Sequence, residues 1–77
     1  MTGGKLPALN HTQACALFER FAPGCDIDGM LVSGIGRHGT FTVHMNHGGG
    51  LRSDQLRKAL TYLGVSRDEF WEWHGGR

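Results

Sequence analysis

Three stretches of this chain hold side chains that could do chemistry or bind a partner. In Gly36-Arg37-His38-Gly39 an imidazole and a guanidinium stand side by side between glycines. An imidazole titrates near neutrality, so His38 on an exposed turn could take the proton of a substrate hydroxyl, while Arg37 could hold a phosphate. The same two residues also fit a plain solvent-facing turn, because spacing fixes no second acid or base beside them. Further on, His44 and His47 form His-x-x-His, a spacing found in metal sites. On a strand, residues three apart point to opposite faces, and no cysteine or carboxylate is placed to complete a ligand set even with His38 added. No metal and no cofactor are therefore assigned. Arg57 with Thr61, and Lys58 with Tyr62, are i, i+4 neighbours on a helical pattern, with Arg52 just before its start. That small basic face could rest on an RNA backbone, meet an acidic protein, or simply be a solvated helix surface.

The elements that must position these residues are readable from periodicity. Asn10 can cap a first helix with Gln13 at its third position, and Ala14, Leu17, Phe18 and Phe21 form an i, i+3, i+4, i+7 stripe that Pro23-Gly24 ends. Cys25-Asp26-Ile27 alternates, Asp28-Gly29 is a hairpin-turn signal, and Met30 to Ile35 reads as a second strand. After the turn at Gly36 to Gly39, a third strand runs through Asn46. Phe41, Val43 and Met45 share one face of it, and Thr40, Thr42, His44 and Asn46 share the other, so His44 is expected to face outward. Gly48-Gly49-Gly50 breaks that strand. Ser53 is expected to cap a helix whose stripe is Leu56, Ala59, Leu60 and Leu63, and Gly64 to stop it. Ser66 and Glu69 make a capping box for a last short helical turn, with Val65 and Phe70 placed as a hydrophobic staple. Trp71 and Trp73 either cap the core or offer anchors at an interface.

The predicted architecture is α+β and two-layered: a three-stranded antiparallel sheet packed on two helices in the order α-β-β-β-α, with a short C-terminal helical turn. With 77 residues there is room for one domain and one small core, spanning 1–77, with 1–8 and 75–77 expected to be loose. Eight Lys and Arg against seven Asp and Glu give a net charge of +1, which argues against strong sequence-independent nucleic-acid binding unless a local patch supplies it. Two cysteines are too few for a disulfide framework, and Cys15 and Cys25 read as small core residues. With no signal-peptide pattern and no apolar run of about 20 residues, a cytoplasmic protein without a membrane partner is expected.

The stretch Thr42-Val43-His44-Met45-Asn46-His47-Gly48-Gly49, then Leu51, Leu56-Arg57-Lys58-Ala59-Leu60 and Gly64-Val65-Ser66-Arg67-Asp68-Glu69-Phe70, resembles the end of HicA-type toxins. Those small toxin-antitoxin proteins have a double-stranded-RNA-binding-domain-like fold, and the resemblance in element order spans most of the chain. The family carries a Gly-Ser-His segment whose histidine is implicated in metal-independent mRNA cleavage, and the nearest text here is Gly36-Arg37-His38. The resemblance thus implies an RNA-binding module, and an mRNA interferase if cleavage carries over. His38 would then be the proton acceptor, with Arg37, His44, Arg52, Arg57 and Lys58 along the contact. A second reading is a non-catalytic interaction module, such as a phage- or plasmid-borne inhibitor that blocks a larger protein complex. Near-neutral charge, the lack of a histidine at Met30 to Val32 where the family's segment would align, and two late tryptophans speak for it.

Overall fold

The computed structural model describes residues 6–75, and the expectations for 1–5 and 76–77 lie outside the described residues. The order is α1 (His11–Phe21), β1 (Asp26–Asp28), β2 (Leu31–Gly36), β3 (Gly39–His44), α2 (Ser53–Leu63) and α3 (Arg67–Gly75). The strands form one antiparallel sheet in the order β1-β2-β3. The α+β expectation is met.

Side-chain alternation decides which sheet face the helices cover. Val32, Phe41 and Val43 are buried beneath them, joined by Met45 just past β3, while Thr40, Thr42 and His44 are exposed. Ala14, Leu17 and Phe18 of α1 and Leu56, Ala59, Leu60 and Leu63 of α2 complete the core, and Phe18 stacks on Phe41 with ring centroids 6.2 Å apart. Gly36 lets α2 come close, since a Cβ there would sit 2.9 Å from the Tyr62 carbonyl oxygen. The other sheet face is uncovered among the described residues, with Ile35 71% exposed.

Several boundaries differ from the sequence reading. The β1–β2 turn is Gly29-Met30, one residue later than Asp28-Gly29, because Asp28 pairs with Leu31 and Gly29 takes φ 63° as first turn residue. Arg52, not Ser53, occupies the cap position of α2. Its peptide N–H donates to Gln55 Oε1 (2.8 Å), while a guanidinium has no lone pair with which to return the bond. α3 is a nine-residue helix, longer than the expected turn. The aromatic residues explain its length: Phe70 is fully buried, and Trp73 meets Phe21 of α1 edge-on at 6.0 Å, so tertiary packing holds further turns. Both capping boxes at Asn10/Gln13 and Ser66/Glu69 are formed. Leu6 is 4% exposed, and Leu9 exchanges two peptide hydrogen bonds with Leu51 (2.8 and 2.9 Å), tying the chain ahead of α1 to the approach of α2.

Candidate functional site: the seam between β3 and α2

β3 and α2 run in opposite directions, linked by the loop 45–52. Asn46 organises that loop: its Oδ1 accepts from the N–H of Gly48 and Gly50, both at 3.2 Å. His11 of α1 reaches the same loop, its Nδ1 3.1 Å from the Gly49 carbonyl, which requires the Nδ1–H tautomer to donate. No sequence signal pointed to that contact, since the partners lie 38 residues apart.

The candidate residues divide into three places along α2. Arg37 and His38 sit at its C-terminal end, where the Arg37 N–H donates to the Leu63 carbonyl (3.2 Å). Arg37 is already engaged: its guanidinium donates to both carboxylate oxygens of Glu69 (2.6 and 2.7 Å) and to the Gly64 carbonyl (3.0 Å). This fork clamps the β2–β3 turn to the junction of α2 and α3. Hydrogen bonding to Arg37 holds the Glu69 carboxyl below the usual carboxylate range, and the same bond raises the already high pKa of the guanidinium. His38 is exposed and makes no hydrogen bond to any described residue, so no described side chain fixes its ring in one orientation. Neither the phosphate-holding nor the merely decorative reading of Arg37 anticipated its structural bond, because Glu69 is 32 residues away.

Arg52 lies at the opposite end of α2, an 11-residue helix about 16 Å long. With Arg57, Arg67 and Leu6 it borders a shallow hollow that also contains Asp54, whose Oδ1 is 3.7 Å from Arg52 Nε. Cationic charge there is partly answered. Between the two ends, His44 and Lys58 come together across the seam, with Thr42, Val43, Gln55 and Tyr62, around a crevice of about 260 Å³. Arg57 and Lys58 also share a neighbouring hollow with Thr61 and Tyr62. Neither of these two places contains a carboxylate. The structure thus joins His44 to Lys58 and Lys58 to Arg57, and sets Arg37 and His38 apart from Arg52.

No cluster of three or more His, Cys, Asp or Glu side chains able to hold a metal occurs among the described residues. Cys15 and Cys25 are free and half-buried. Burial, then the nearby Glu19 carboxylate, push the Cys25 thiol up, which makes it a poor nucleophile. No described helix is long and apolar enough to cross a membrane. Gln55, which helps to line the crevice, was not singled out by sequence, and Tyr62 entered only as the i+4 neighbour of Lys58 on the basic face. Their signal was available in the i, i+3, i+7 spacing of Gln55, Lys58 and Tyr62, one ridge of α2. Searches of protein-family models, curated proteins and solved structures each found no match to this chain.

Proposed function

We propose that this protein is a non-catalytic interaction module that engages a protein partner through the seam between β3 and α2. The observation that carries this reading is the open crevice itself, where His44, Lys58, Gln55 and Tyr62 surround unfilled space beside an uncovered strand. Two features weigh against an RNA-cleaving reading: the Arg37 fork is engaged by Glu69, and no described residue hydrogen-bonds to His38 to orient it. With a net charge of +1, the chain must rely on few cations to hold a phosphate backbone.

One observation favours the second reading, a HicA-like RNA-binding module: Arg52 at the cap of α2 and Arg57 and Lys58 along it are all exposed. Titration of labelled single-stranded and duplex RNA at about 50 and about 200 mM salt separates the two, because several phosphate contacts would weaken binding steeply over that range. The expected result is no measurable binding at the lower salt and no RNA cleavage, with His38→Ala indistinguishable from the parent. Salt-sensitive binding lost in Arg57→Glu establishes the RNA reading, and cleavage lost in His38→Ala restores an enzyme.

A further inference from the structure

The hydrogen-bond parity of β3 specifies what the seam can accept. Met45 N–H donates to the Met30 carbonyl (2.7 Å), and the register pairs Val43 with Val32, Phe41 with Gly34 and Gly39 with Gly36. In an antiparallel ladder, bonded and non-bonded pairs alternate. Met45, Val43, Phe41 and Gly39 therefore spend their peptide groups on β2, and Thr40, Thr42 and His44 turn theirs to the other edge. No described strand pairs with that edge. It presents N–H and C=O groups in the repeat that an added strand needs, next to a helix ridge carrying Lys58 and Tyr62.

Charge selects the occupant. The crevice and the hollow beside it hold Lys58, Arg57 and His44 and no carboxylate, while Asp26 and Asp28 lie across the sheet on β1. A second copy adding β3 to β3 about a two-fold axis would bring Lys58 and Arg57 of both copies to one seam, which like-charge repulsion opposes. We propose that the β3 edge and the crevice beside α2 bind an extended acidic peptide segment of a partner protein, taken up as a fourth strand of the sheet. Alternate residues of that segment face the α2 ridge, where carboxylates meet Lys58, and the remainder continue the outer face alongside Thr40 and Thr42. This inference rests on the interaction-module reading and specifies its partner's chemistry.

The probe is a blocked peptide of about nine residues alternating Glu and Val. Three comparison peptides accompany it: one with Lys for every Glu, and two N-methylated at alternate peptide nitrogens in the two possible phases. The expected result is binding of the acidic peptide, loss of binding for one N-methylated phase, no binding of the Lys peptide, and about fivefold weaker binding by Lys58→Glu. Hydrogen exchange followed by NMR should slow at the Thr42 and His44 amides on binding. Binding that survives both N-methylation phases, or that leaves those two amides unprotected, overturns strand addition. Protection of the same amides in free protein, together with a dimer in sedimentation, gives the edge to a second copy and likewise overturns the proposal. If neither the peptide nor RNA at low salt binds, strand addition by an acidic segment falls and the interaction module stands. If the peptide fails and RNA binds at low salt, both fall.

Discussion

A single ion pair shows how little an exposed side chain's identity says about its role. Arg37 and Glu69 are both partly solvated, with side chains 52% and 38% exposed, so screening keeps the contribution of the pair modest despite its bidentate geometry. Its pH dependence has a definite sign. Glu69 titrates lower in the folded state than its ordinary value of about 4.3, so the unfolded chain binds the extra proton first as pH falls. The stabilisation is complete well above that value and is lost as pH drops through the folded pKa. Thermal melts of parent and Glu69→Gln should therefore differ at neutral pH, with the parent melting higher, and converge in acid below the folded pKa. A difference that persisted unchanged in acid would assign the effect to packing, and added salt should narrow the neutral-pH gap.

At the scale of elements, the end of α2 concentrates several constraints in one residue. Gly64 takes φ 75°, its N–H donates to the Thr61 carbonyl (3.2 Å), and the Val65 N–H donates to the Leu60 carbonyl (2.9 Å). These are the two bonds of a Schellman motif, with buried Val65 and Leu60 supplying its apolar contact. A Cβ at Gly64 would also lie 2.7 Å from the Arg37 Cβ. Gly64→Ala should cost about 1–2 kcal/mol from the left-handed backbone, measured by denaturant titration, and NMR should show the Arg37 side chain displaced from Glu69. The same position thus couples a helix stop to the clamp that holds the β2–β3 turn.

For the whole molecule, the described residues share one core, and total stability for a chain of 77 residues is about 4–12 kcal/mol. Leu56 is fully buried beside the seam, and Leu56→Ala should remove about 2–5 kcal/mol, read as a lower urea midpoint. Such a loss is a large share of the total, so tests of the seam belong on exposed residues such as Lys58, which can change charge without opening the core. Phe70 is equally unsuited, since it is fully buried and meets Trp71 and His74 at 5.3 Å each.

The amino-acid sequence by itself determined the architecture, because each element advertises its buried face locally. The 2-residue period puts Phe41, Val43 and Met45 inward, the 3.6-residue period does the same for Leu56, Ala59, Leu60 and Leu63, and Asn10, Gly64 and Ser66 mark helix ends through bonds within a few residues. Turn placement was legible only to within a residue, since Asp28-Gly29 and Gly29-Met30 both supply a glycine and cross-strand register chooses between them. Tertiary structure alone decided what the polar residues do. Arg37 found Glu69 across 32 residues, His11 found Gly49 across 38, and the histidines and cations that looked like one cluster were spread along the full length of α2. Periodicity records which side of an element faces the core, whereas the partner of an exposed charge, and the strand edge left open, depend on how distant segments come to lie together.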